Sequence, residues 1–215
     1  AMRVFIVLIW CFWFVGVDAQ NRSIVFREGN WEKILKQAKK EKKLIFVDCY
    51  TSWCGPCKYM SNTVFPQEKM GDYMNPKFIC VKYDMEKGEG PELAKKFGVR
   101  AYPTFVIVNP DGTIRHKLVG GGEGEQFIER VKESFDDNKA LGVLDAKYNN
   151  GDRDKAFLAQ YAQVMVANYD PNAKAIVDEL LKISTDEEKL SEDYWFIFGN
   201  SELSPKDSEA AKFLI

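Results

Sequence analysis

At 215 residues the chain is long enough for one ordinary domain and a smaller second unit. Its balance of 46% hydrophobic and 29% charged residues is that of a water-soluble globular protein. A formal net charge of −2 leaves no basic excess of the kind that nucleic-acid binding requires, so no nucleic-acid partner is expected. The run Lys39-Lys40-Glu41-Lys42-Lys43 reads as the solvated end of a helix.

The first stretch is Met2-Arg3, an apolar run over 4–17, and Val17-Asp18-Ala19 ahead of Gln20. A short positive region, an apolar core and a small-residue cleavage site predict a secretory signal peptide over 1–19, removed after Ala19. The run is short for an uncleaved anchor, since crossing a bilayer takes about 20 residues. Lipidation at Cys11 is disfavoured by the bulky Trp10 before it. The expected location is therefore outside the cytoplasm, periplasmic or extracellular. Removal of the signal leaves four cysteines: Cys49, Cys54, Cys57 and Cys80.

In chain order, 24–26 reads as a short strand, and Asn30 as the cap of a helix with Trp31, Ile34, Leu35 and Ala38 on one face. The unbroken apolar run over 44–47 predicts a central strand covered on both sides. A helix is expected from 54 to about 64, stopping near Pro66, and a short one over 67–74. A strand over 78–83 and a helix over 91–97, with Pro91 in its first turn, come next. Strands over 104–108 and 113–119 flank Asn109-Pro110-Asp111-Gly112 and predict a hairpin. Gly120-Gly121-Gly122 breaks the chain before an amphipathic helix over 125–135. Helices alternating with strands, closed by a hairpin, give an α/β fold with a mixed sheet between helices.

Beyond about Asp136 no strand-like run remains, and three or four helical segments predict a small all-helical extension. Asp170-Pro171 and Ser204-Pro205 place capping residues before first-turn prolines, and Thr185 and Glu188 have capping-box spacing. The apolar end 211–215 reads as mid-helix, so the natural chain is expected to continue. The division is a signal over 1–19, an α/β domain over 20–137 and the extension over 138–215.

The chemistry centres on Cys54 and Cys57. A lone Cys-x-x-Cys also occurs in zinc and haem proteins. Structural zinc needs about four ligands, and this chain offers one such pair and one histidine, His116. Haem attachment needs a histidine after the second cysteine, where Lys58 stands. Redox use remains, and it calls for no cofactor and no metal. A thiol where a helix begins faces unpaired N–H groups and the positive end of the macrodipole, so its thiolate is stabilised. Cys54 is expected to attack a disulfide. Cys57, one turn on, resolves the mixed species, with Gly55 and Pro56 keeping the connection tight.

Trp53-Cys54-Gly55-Pro56-Cys57-Lys58 resembles the active-site segment of the thioredoxin family, and three further landmarks match. Asp48, six positions before Cys54, matches the buried aspartate that relays protons to the resolving cysteine. Tyr102-Pro103-Thr104 matches the loop whose cis-proline faces the pair and binds substrate backbone, and Gly120-Gly121 matches the glycine turn after the last strand. The resemblance covers about 24–135 and implies a thioredoxin-like mixed sheet, Trp53 at the rim of the site, and substrate contacts from Trp53, Gly55, Pro56, Tyr102 and Pro103. Tyr102 departs from the small or β-branched residue common before that proline, and 63–75 looks like an insertion. Cys80 falls roughly where cytoplasmic members have a lysine near the aspartate. Cys49 follows Asp48 and so points to the opposite face of the sheet, which predicts two buried free thiols rather than a Cys49–Cys80 disulfide.

Gly-Pro between the cysteines is the reducing pair of the family, at about −270 mV against about −120 mV for strongly oxidising exported enzymes. The implied activity is reduction or isomerisation of disulfides in client proteins, by a monomer. Outside the cytoplasm a reductant also needs electrons from a membrane-embedded donor. The rival reading is a client-binding or chaperone module, in which the same fold and the helical tail hold a client.

Overall fold

The computed structural model describes residues 22–200, Leu203 and 209–214; the expected signal over 1–19, with Cys11, and the Ser204-Pro205 cap lie outside them. Asn30 accepts the N–H of Lys33 and caps α1 (Trp31–Glu41), which buries Trp31, Ile34 and Ala38 and ends on Lys42 in a left-handed conformation. The central strand β1 (Leu44–Tyr50) pairs parallel with β2 (Phe78–Asp84) and antiparallel with β3 (Thr104–Val108). β3 pairs antiparallel with β4 (Ile114–Val119), giving the order β2-β1-β3-β4. Between the strands lie α2 (Gly55–Tyr59), α3 (Glu68–Lys77) and α4 (Gly90–Phe97), with α5 (Gly124–Lys132) after the sheet.

Alternation along β1 sorts the core into two layers. Phe46 faces Met60, Val64, Phe65, Phe105 and Phe127, while Ile45, Val47 and Cys49 face Trp31, Ile34, Leu93 and Phe97. Phe46 is fully buried, with rings of Phe65, Phe78, Phe105 and Phe127 at 5.6–6.3 Å, so truncating it to alanine would cost roughly 3–5 kcal/mol. Cys80 lies in the Phe46 layer and Cys49 in the other, and both thiols are free and buried.

The expected elements form, with local differences. The 24–26 stretch makes only one bridge, Phe26 to Cys80, because Ile24 donates its N–H to the Phe65 carbonyl and Val25 to Asn75 Oδ1. The helix expected through 64 turns π-helical over Met60–Val64. Thr113 closes the hairpin turn against Asn109 and Asp111 instead of starting β4. Asp170 accepts the N–H of Asn172 and shapes a turn, so the helix there starts at Ala173.

The later helices are α6 (Leu141–Asn149), α7 (Lys155–Ala167), α8 (Ala173–Ile183), α9 (Asp186–Lys189), α10 (Trp195–Phe198) and α11 (Glu209–Leu214). Thr185 and Glu188 form the capping box. These helices enclose a core of their own, including Leu144, Leu158, Met165, Val177, Leu180 and Ile197. α6 meets the sheet at β4: a Cβ on Gly142 would lie 2.0 Å from the Ile114 carbonyl oxygen, so the close approach requires glycine. Arg115 reaches the Ser134 carbonyl and pairs with Asp137 at 2.7 Å.

His116, buried on β4, accepts the Leu141 N–H at Nδ1 over 3.1 Å, so the neutral ring carries its proton on Nε2, which has no partner among the described residues. Burial, with Arg130 and Arg115 nearby, pushes its pKa from 6.5 down to about 4. The unfolded chain takes up this proton first as pH falls, so the stability of the neutral ring is complete above pH 6.5 and lost progressively down to about 4. In denaturant titrations across that range the stability of the wild type relative to His116→Gln should fall by roughly 3 kcal/mol from pH 6.5 to about 4, a difference from which the opposing titration of other groups drops out. Equal slopes in both proteins would remove His116 as the cause.

Candidate active site

β1 ends at Tyr50, and the chain turns through buried Thr51, whose carbonyl accepts the N–H of Cys54 at 3.2 Å. Cys54 takes the extended conformation of a helix cap, and its Sγ accepts the N–H of Cys57 at 3.1 Å. Pro56 stands in the first turn of α2, where its missing N–H has no intrahelical partner to lose. Cys54 and Cys57 are joined as a disulfide with Cα atoms 5.3 Å apart, and both are buried. A Cβ on Gly55 would meet no atom within 4 Å, so packing does not demand glycine there and the surface ahead of the pair is open.

Trp53 is 65% exposed, yet it is fixed: Nε1 donates to Glu86 Oε1 at 3.0 Å, and the ring stands edge-on to Tyr102 at 5.8 Å. The Tyr102-Pro103 peptide is cis. Thr104 Oγ1 closes that turn on the Ala101 carbonyl at 2.8 Å, and Gly120 donates its N–H to the Pro103 carbonyl at 2.9 Å. Gly120 has φ +81°, a conformation that favours glycine. A side chain on Gly121 would strike Met60 Sδ at 2.9 Å, next to Pro103. Arg130 braces this turn by donating to the carbonyls of Val119, Gly120 and Gly121.

Asp48 lies on β1 in the layer of Phe46 and is 1% exposed. Its Oδ1 is buried without a partner among the described residues. Burial raises its pKa from 3.8 to about 7, with Lys82 pulling the other way. Lys82 is its partner in register on β2, while Cys80 stands opposite Phe46, one pleat back. Burial also raises both spare thiols, Cys49 well above its ordinary value and Cys80 to about 12, so neither is a thiolate at neutral pH.

The structure thus gathers Trp53, Cys54, Gly55, Pro56 and Cys57 in one turn, brings Tyr102 against Trp53, and sets Pro103 on the glycine turn. Sequence reasoning missed the fixing residues. Glu86 holds Trp53, Glu123 accepts from Tyr59 Oη at 2.8 Å, and Arg130 braces the glycine turn. They come from three distant segments, and no local spacing marks them.

The thioredoxin family model matches residues 22–133. The chain belongs to the thioredoxin family. Its members are thiol–disulfide oxidoreductases, and a cysteine pair sits at the active-site position here. Thioredoxin Y1 of Arabidopsis thaliana chloroplasts is 33% identical over 93 residues, 43% of this chain and 51% of that protein. Thioredoxin-1 of Drosophila melanogaster is 36% identical over 85 residues, 36% of this chain and 75% of that one. The chain spans about half the length of the chloroplast relatives it matches. Among solved structures, a proposed disulphide-isomerase from Bacteroides thetaiotaomicron is 47% identical, with 55% of this chain and 98% of that one covered at a TM-score of 0.50.

Because folded Asp48 keeps its proton to about pH 7 and the unfolded chain releases it near 3.8, its burial costs nothing below pH 3.8 and becomes increasingly destabilising up to about 7. Asp48→Asn should therefore raise stability at pH 8 by roughly 2–4 kcal/mol, with little gain at pH 4, in denaturant titrations at the two pH values. An equal change at both would show that the carboxyl is not desolvated.

Proposed function

We propose that this chain is an exported thiol–disulfide oxidoreductase that reduces or isomerises disulfides of client proteins. The observation that carries the reading is Cys54 Sγ at the head of α2, accepting the N–H of Cys57. With the pair reduced, the same N–H and the helix end favour a Cys54 thiolate. Cys54 attacks one sulfur of the client disulfide, forming a mixed disulfide and releasing the other client sulfur as a thiolate that takes a proton. Asp48, which titrates at about pH 7, removes the proton of Cys57 in its ionised form, and the Cys57 thiolate then attacks Cys54 Sγ and displaces the client sulfur. The client leaves as a dithiol and the pair closes as the Cys54–Cys57 disulfide. Trp53, Gly55, Pro56, Tyr102 and Pro103 form the surface on which the client chain lies.

The 1–19 stretch supports export, and an exported reductant would draw on a membrane-embedded donor for the electrons that return the disulfide to a dithiol. Among the described residues no helix is long and apolar enough to cross a membrane. The working unit is taken as a monomer, divided into the signal over 1–19, the redox domain over 20–137 and the extension over 138–215. The separate core of the later helices favours a second role in holding the client.

The test is the reduction potential of the Cys54–Cys57 pair in protein lacking 1–19, equilibrated with dithiothreitol and glutathione buffers. A reductase should give about −250 mV or lower, whereas a value above about −180 mV would assign oxidation or isomerisation. Absence of a reversible couple would leave only the client-binding role.

A further inference from the structure

A pocket of about 220 Å³ lies between the redox domain and the added helices. One wall comprises Arg100, Ala101, Thr104 and Lys117, and the other is the turn joining α7 to α8, with Tyr169 and Asp170. That turn lies outside residues 22–133, so the family domain alone does not make this pocket. Ala101 and Thr104 bracket the Tyr102-Pro103 peptide, and Tyr102 touches Trp53 beside Cys54. The pocket therefore lies against the loop that carries the cis-proline. Tyr169 stands at its mouth, 73% exposed and with φ +52°, and lies within electrostatic reach of Arg130 under the glycine turn.

The charges in the pocket are incompletely matched. Neither Arg100 nor Lys117 has an ion pair within 4 Å among the described residues, and the hydrogen bond of Lys117 to the Gly98 carbonyl is long, at 3.5 Å. Lys117 is partly buried, and its pKa is lowered chiefly by that burial, with Arg100 adding like-charge repulsion. Asp170 and Asp145 act in the opposite direction. Each is already engaged, Asp170 with the Asn172 N–H and Asp145 with Tyr161 Oη at 2.7 Å. An incoming carboxylate would meet Arg100 and Lys117 against the single carboxylate of the lining, Asp170, and would relieve the repulsion between the two cations.

We propose that this pocket receives an acidic side chain of the client polypeptide, with Lys117 and Arg100 as its partners, so that the added helices select among disulfide clients. The proposal rests on the client-reducing reading above. Selection needs no new chemistry: the side chain is held while Cys54 attacks the neighbouring disulfide.

The experiment uses the chain lacking 1–19 and disulfide-bonded peptides in which a single glutamate, or glutamine in its place, is walked stepwise away from the attacked cysteine. The ratio of kcat/KM for each Glu/Gln pair is measured with dithiothreitol as the electron source. At the position that reaches the pocket, the wild type should favour glutamate about tenfold, the scale of a charged hydrogen bond. The ratio should fall to about one in Arg100→Gln/Lys117→Gln and invert in Lys117→Glu. A ratio of one at every position in the wild type, or a preference that survives both variants, overturns the proposal. If neither the peptides nor 2-hydroxyethyl disulfide is turned over, the redox reading fails instead. Calorimetric binding of the same peptides to oxidised protein then decides the pocket: tighter glutamyl binding that is lost in the double variant upholds it, and equal binding overturns it.

Discussion

β1 is buried on both faces, and the redox end of the molecule depends on that single constraint. The strand is covered by α1 and α4 on one side and by the Met60–Val64 turn, α3 and α5 on the other, which shuts the side chains of 45–49 away from solvent. Asp48 is the one carboxylate placed on it, so its proton affinity is set by desolvation, with Lys82 as a weaker opposing influence. The same strand ends where the chain must turn to begin α2, which places Cys54 at the cap with its sulfur against the Cys57 N–H. Acid and thiol are thus consequences of one packing arrangement: the interior of the strand supplies a carboxyl that titrates near neutrality, and its end supplies a sulfur at a helix terminus.

The rim is organised differently. Trp53 and Tyr59 are exposed aromatic side chains that would be free to reorient on an ordinary surface. Each is held by one carboxylate, Glu86 or Glu123. Their apolar faces stay available while their polar atoms are satisfied, which lowers the entropy lost when a client chain settles on them. Beneath the opposite side of the site, Arg130 gathers three carbonyls of the glycine turn, and that turn in turn holds the Pro103 carbonyl. Order at the surface therefore comes from a few long-range polar contacts anchored in a rigid sheet.

These two modes explain what could be read from the chain beforehand. The alternation of helix and strand, the hairpin, the Asn30 cap and the Thr185–Glu188 box were legible because each is a local pattern, set by side-chain period or by spacing of three or four residues. That Cys49 faces away from Asp48 was legible from β1 alternation, while the place of Cys80 came from the family resemblance. Glu86, Glu123 and Arg130 were not legible, because their roles arise only when segments distant in sequence fold together. The failure of 24–26 to become a strand has the same origin: tertiary hydrogen bonds claimed a backbone whose local preference lay elsewhere. The meeting of the α7–α8 turn with the Pro103 loop carries no sequence signal at all.

The seam between α6 and β4 also bears on how such a chain is made and divided. β4 is the outermost strand on its side of the sheet, and Gly142 lets α6 press close enough to screen the backbone around Ile114 and Arg115. A fragment ending where the family resemblance ends would retain the redox pair but leave that strand as a bare template for another copy. The added helices thus cover an edge that the family domain by itself leaves open, and during synthesis the sheet waits unshielded until they emerge.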